Sequence, residues 1–102
     1  MIYHIDMQWS YPIDETVTDF LILRGISGGP LTVVKTVSLS LAMGYDTDLE
    51  ISVDGDIGPQ QLVYQDTEVH KGKRYVYQVM ARHIGGTTSQ RSQTLTKKIP
   101  NE

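Results

Sequence analysis

Between Gly72 and Gly85 the chain alternates with a period of two: Tyr75, Tyr77, Val79 and Ala81 fall on one side, Arg74, Val76, Gln78, Met80 and Arg82 on the other. Successive side chains of an extended strand point to opposite faces, so this run is a β-strand with one buried face. A lone strand leaves its backbone N–H and C=O groups unpaired and needs neighbours of its own kind. The composition supplies them: Val, Ile and Thr contribute 9, 9 and 10 residues and Ala only 2, and branched Cβ atoms suit a pleated strand better than a helical turn. Cysteine is absent. That excludes disulfide scaffolds, thiolate zinc sites and cysteine nucleophiles together, and leaves packing to hold the fold. With 102 residues, 39% of them hydrophobic, residues 1–102 form a single domain around one core.

Other stretches repeat the pattern. Ile5, Met7 and Trp9 alternate with Asp6, Gln8 and Ser10 until Tyr11 and Pro12 end the strand. Asp14, Glu15 and Thr16 read as a turn. Residues 19–24, with Phe20, Leu21, Ile22 and Leu23 at their centre, read as a strand covered on most sides, and 25–30 as a loop. From 31 to 43 the chain is strand-like, placing Val37, Leu39, Leu41 and Met43 on one face and Ser38, Ser40 and Ala42 on the other. After an interruption at 44–48, Leu49, Ile51 and Val53 alternate with Glu50 and Ser52, which predicts an inserted hairpin over about 35–54. A helix over 38–43 is the alternative, disfavoured by Ser and β-branched neighbours and by the lack of caps. Gly58 and Pro59 break the chain before a strand over 61–66, and 92–99 supplies a last strand before Pro100. Short strands with regular turn signals and no helix predict an all-β, two-layer antiparallel β-sandwich.

Charge is unevenly placed. Residues 1–66 carry ten acidic and two basic side chains, and residues 67–102 two acidic and seven basic, so a net −8 is followed by a net +5. If those segments occupy different faces, the molecule is a charge dipole suited to steering a partner or to stacking copies head to tail; solvated strand faces are the alternative. The chain is acidic overall, at −3, and no aromatic-and-Arg binding motif interleaves its basic segment, so nucleic acid is not expected as a partner. No run approaches the ~20 apolar residues of a bilayer span. The first residues lack a basic region and place Asp6 where an apolar stretch belongs, so neither a secretion signal nor a membrane partner is expected. A natural start at Met1 implies a protein that stays in the cytoplasm or leaves it within an assembly.

Catalytic and metal motifs are weak. Gly25-Ile26-Ser27-Gly28-Gly29 fits the nucleophile-elbow pattern letter for letter, but that pattern needs a strand-to-helix turn, and Pro30 with a strand-like segment follows. His4, His70 and His83 have no spacing suited to a metal or a triad. Asp46, Asp48, Glu50, Asp54 and Asp56 could gather around a hard cation, yet Asp54-x-Asp56 matches only a fragment of a calcium loop. Solvated turn residues are the other reading, and no metal, cofactor or catalytic residue is nominated.

Taken together, residues 5 to about 99 resemble a fibronectin type III module, an immunoglobulin-like β-sandwich. Trp9 followed by Pro12 looks like that family's core tryptophan strand, and Phe20-x-Ile22-x-Arg24 looks like the strand after it. The most specific stretch is Tyr64-x-Asp66-x-x-Val69-x-Lys71-Gly72-x-x-Tyr75-x-Tyr77-x-Val79-x-Ala81, then Gly85, Gly86 and Ser89. The resemblance implies a structural core of Trp9, Phe20, Ile22, Tyr75, Tyr77 and Val79. It also makes Tyr75 the tyrosine-corner residue, with its hydroxyl bonded to backbone near Val69 or His70; a tyrosine entering a core strand needs such a partner in any case. There are departures. Lys71 stands where the family often has Pro, the first edge strand is shortened or missing, and residues 25–61 exceed the family's middle segment. A bare edge invites pairing with another chain. The family's integrin-binding tripeptide is absent from 83–88.

These readings predict a non-enzymatic structural or protein-binding module. Val37, Leu39, Leu41, Met43, Leu49, Ile51 and Val53 form a candidate interface, because each apolar side chain removed from water is worth ~1.5–3 kcal/mol and something must cover the face. Its own sandwich is one cover, and another subunit, a copy of itself or another assembly component, is the second. Small stand-alone sandwiches of this sort resemble the decoration, collar and tail-associated proteins of tailed bacteriophage, which implies a place in a virion or a cytoplasmic assembly. The alternative is a surface or extracellular carbohydrate- or protein-binding module from a larger chain.

Overall fold

The alternating run becomes the strand around which the rest is laid. The computed structural model describes residues 3–43, 59–92 and 94–100. In chain order the elements are β1 (Ile5–Pro12), β2 (Val17–Ile26), β3 (Thr32–Ser38), the helical turn α1 (Leu39–Ala42), β4 (Pro59–Asp66), β5 (Arg74–His83) and β6 (Leu95–Lys98). They make two antiparallel sheets, β1-β4 and β3-β2-β5-β6, packed face to face as an all-β sandwich. Among the described residues no helix is long and apolar enough to cross a membrane.

The core follows from the alternation. β5 sends Tyr75, Tyr77, Val79 and Ala81 inward, all buried. Its partner β2 sets Phe20 opposite Ala81 and Ile22 opposite Val79, so a bulky ring faces a small side chain across the strands. Ile5 and Met7 of β1 and Leu62 of β4 close over them. Trp9 is half-buried and meets Phe20 edge to face at 5.4 Å. β2 is covered on both sides at its middle, since Leu23 on its outer face is only 2% exposed between Val33 and Gln78. β1 and β4 end together where Pro12 lies opposite Pro59, neither of which has an N–H to extend the ladder.

The loop over 25–30 is a hairpin connection. Gly29 N–H donates to Ile26 O at 2.8 Å, and a Cβ on Gly25 would lie 2.3 Å from the carbonyl oxygen of Pro30. Glycine is what lets the chain fold back so closely. Ser27 therefore sits in a strand-to-strand turn, with β3 following.

Two expectations are corrected. The strand predicted through Met43 stops at Ser38, and the alternation of Val37, Leu39, Leu41 and Met43 does not persist. Ser38 caps α1: its hydroxyl accepts from Leu41 N–H at 3.3 Å, and Met43 N–H reaches back to Leu39 O at 3.0 Å. A serine that satisfies an orphan helical N–H competes with continued pairing. The turn puts Ala42 at 0% exposure and Leu41 at 52%, the reverse of their expected faces. Val37 is buried, and Leu39 and Met43 pack partly buried against this molecule's own core, so those three are not a free interface. Leu49, Ile51, Val53 and the second arm of the predicted hairpin lie outside the described residues. The second correction concerns the last strand, expected over 92–99 and running only from Leu95 to Lys98. Ahead of it serines tie the chain to β5: Ser92 Oγ accepts from Val79 N–H and Ser89 Oγ from Ala81 N–H, each at 2.9 Å. Hydroxyls there do the work of strand carbonyls.

Candidate functional site

The two sides of the sandwich differ in how their polar groups are used. On one, Asp66 ends β4 and Arg24 nears the end of β2. Arg24 Nη1 donates to Asp66 Oδ2 at 2.9 Å and to Glu68 O at 3.1 Å; Tyr77 OH donates to the same carboxylate oxygen at 2.6 Å; Glu68 N–H donates to Oδ1 at 3.0 Å. Side-chain exposure is 19% for Arg24 and 3% for Asp66. Burial pushes the Asp66 carboxyl up, but the bonds from Tyr77, Arg24 and Glu68 outweigh it and hold the group below the usual carboxylate range. Burial, then the bond to Asp66, drives the Tyr77 hydroxyl above its usual range. Next to this cluster, His70 N–H donates to Tyr75 OH at 2.9 Å, the backbone bond expected of that tyrosine.

A second cluster closes the far end. His83, the last residue of β5, lies between Tyr11 OH at 3.1 Å from Nε2 and Thr16 Oγ1 at 2.7 Å from Nδ1. Thr16 Oγ1 donates to Asp14 Oδ1 at 2.6 Å, so it is left to accept from Nδ1–H, and a neutral ring then accepts from Tyr11 at Nε2. Thr16, through its hydroxyl and its N–H, holds the Asp14 carboxyl below the usual range. The ring thus joins β1, the turn after it and β5.

The remaining side is open. Among the described residues no strand runs along the outer edge of β1, whereas the facing sheet extends under it through β5 to β6. The step leaves a groove of about 460 Å³ between Met7, Trp9 and Ser10 on β1 and Tyr77, Val79, Ser92 and Leu95 opposite. A smaller continuation of about 180 Å³ runs past Tyr11, Phe20, Ser89 and Gln90. Among the described residues no charged side chain lines either part. Trp9 Nε1 is buried with no hydrogen-bond partner among the described residues. An unmade buried bond costs ~1–3 kcal/mol.

Of the expected core, Phe20, Ile22, Tyr75, Tyr77 and Val79 are buried together and Trp9 lines the groove beside them. Leu41 is the exposed member of the described candidate interface. Sequence reasoning did not find Asp66 as the acceptor that organises one side, nor Ser89 and Ser92 as groove residues. The cue for Asp66 was its charge at the end of an apolar strand, but its partner Arg24 stands 42 residues away. Among the described residues no group of three or more His, Asp or Glu is placed to hold a metal. Asp46, Asp48, Glu50, Asp54 and Asp56 lie outside them. The chain matches no protein-family model, no curated protein and no solved structure.

Proposed function

We propose that this chain is a non-catalytic structural and protein-binding module, a fibronectin type III-like sandwich serving as a subunit of a larger assembly such as the virion of a tailed bacteriophage. The observation that carries the reading is the uncharged groove along the open edge of β1. An edge strand presents a row of backbone donors and acceptors, and chains guard such rows with charge, bulges or brevity. β6 has four residues and carries Lys97 and Lys98; β3 carries Lys35 and meets β2 across a register shift. β1 has eight residues and no charge between Met7 and Pro12. An extended segment laid on that edge gains backbone bonds and covers Leu95. The strand order, with the tryptophan strand beside β4 and β2 beside β5, and the Tyr75 bond support the family likeness. The polar clusters support a structural role, because Asp66 and His83 are each engaged by neighbours that fix strands in place.

The test is to purify particles from cells producing the chain in its native context and count it by mass spectrometry. The reading expects a fixed number of copies per particle, lost in a Ser10→Lys variant that remains folded. Finding the chain only among unassembled proteins would contradict it. A carbohydrate-binding module of a surface or extracellular chain is a second reading, favoured by the hydroxyls of Ser10 and Ser89 and the amide of Gln90 beside the rings of Trp9, Tyr11 and Phe20. It expects a glycan array to show binding that a Trp9→Ala variant loses.

A further inference from the structure

The covering sheet stops before the sheet beneath it does. Ile5 at the start of β1 lies opposite Asp66 at the end of β4, whereas β2 runs on to Ile26, which pairs with Tyr75 near the start of β5. Arg24 and Ile26 continue the inward face of Phe20 and Ile22. Ile26, 47% exposed, thus comes out from under the cover. A recess of about 480 Å³ lies there, lined by the apolar Ile26, Pro30 and Val34 and by the cations Arg24 and Lys73. We propose that this recess binds a carboxylate carried on an apolar body, gripped by Arg24 and attracted by Lys73.

Arg24 carries the inference. Both of its bonds, to Asp66 Oδ2 and to Glu68 O, leave from Nη1, so Nε and Nη2 make no hydrogen bond among the described residues. Those two nitrogens form one edge of the planar guanidinium, a fork that matches the two oxygens of a carboxylate. Arg82 shows what that edge holds in this molecule: its Nε donates to Asp19 Oδ1 at 2.8 Å and its Nη2 to Asp19 Oδ2. Arg24 has the same edge empty of any protein partner. The guanidinium is also already fixed, by Asp66 and by the Tyr75 ring, whose centroid lies 5.6 Å from its central carbon. A ligand therefore spends little free energy ordering it.

Charge around the recess favours an anion. Lys73 is exposed, as are Lys71, Arg74, Lys97 and Lys98 at the same end, and none of the five forms an ion pair among the described residues. The register sets Arg74 directly opposite Lys98, and like charges in that relation weaken a sheet unless an anion relieves them. Glu68 also lines the recess. Its charge opposes a doubly charged phosphate more than a singly charged carboxylate. Ile26, Pro30 and Val34 supply the surface for the apolar body.

The recess shares no lining residue with the groove beside β1, so the inference stands apart from the module reading. The test is nuclear magnetic resonance of the nitrogen-15-labelled full chain, following the Arg24 Nε–H signal. The probes are hexanoate, hexanamide, acetyl-leucyl-leucine, its C-terminal amide and inorganic phosphate. At least one acid should shift that signal and bind roughly tenfold or more tighter than its amide, the usual worth of charge-assisted bonds. Whichever acid binds tighter identifies the body as an acyl chain or a peptide end. Lys73→Glu and Thr32→Glu should each lose the acid, with circular dichroism confirming that both fold. Thr32 is exposed and lies opposite Arg24, so a glutamate there offers the fork a carboxylate of the chain's own. Acids and amides binding alike, phosphate binding more tightly than either acid, binding that survives both variants, or an Arg24 Nε–H signal unmoved by millimolar acid would each overturn the proposal. None of these outcomes touches the module reading, which the Ser10→Lys particle count decides by itself.

Discussion

Tyr77 and Trp9 face the same core from opposite sheets, and their polar atoms meet opposite fates. The Tyr77 hydroxyl is bonded to Asp66, which also takes Arg24 and a backbone N–H. The indole N–H of Trp9 is buried and has no partner among the described residues. The side where Asp66 sits is satisfied by its own neighbours. On the side holding Trp9 no described strand runs along the outer edge of β1, and that edge is where a partner can add backbone bonds.

The comparison breaks most readily at Asp66. Asp66→Asn leaves Arg24 with a neutral neighbour, and chemical denaturation should show a loss of about 3 kcal/mol or more, the usual consequence of stripping one member from a buried ion pair. Trp9→Phe should stay within ~1 kcal/mol of wild type, because the packing it forfeits is offset by removing an unbonded buried donor. Equal losses at the two positions would mean that the sides do not differ. Tyr75→Phe should cost ~1 kcal/mol by freeing the His70 N–H, and Ser38→Ala ~0.5–1 kcal/mol by uncapping α1.

Acid sharpens the contrast further. The Asp66 carboxyl titrates below its unfolded value of about 3.9. Its contribution is therefore whole above that pH and drains away as pH falls through the lower folded value. Thermal unfolding should show stability declining below roughly pH 4. Asp66→Asn should remove part of that slope, and Asp14 and Asp19, also held low, should account for what is left.

How much of this was legible in the sequence depends on whether a feature is local. β1, β2 and β5 could be read because each carries its own apolar alternation, and Tyr75 announced a backbone bond because the turn lies five residues upstream. The turn at Leu39–Ala42 could not, since Leu39 and Met43 fit either period and the Ser38 cap decided between them. Asp66 and Arg24 meet only through tertiary pairing. The expectation of a shortened or missing first edge strand pointed to an open edge, but the groove's lining depends on Ser89 and Ser92 being drawn against β5, which no spacing in the chain expresses.

Amide hydrogen exchange along Ile5–Pro12 tests the open side most directly. If β1 has one neighbour, amides bonded to β4 should exchange slowly and those between them fast, giving protection with a period of two. Uniform slow exchange through Met7, Trp9 and Tyr11 would mean that a strand already covers the edge, and the account of this side as a vacant seat would be wrong.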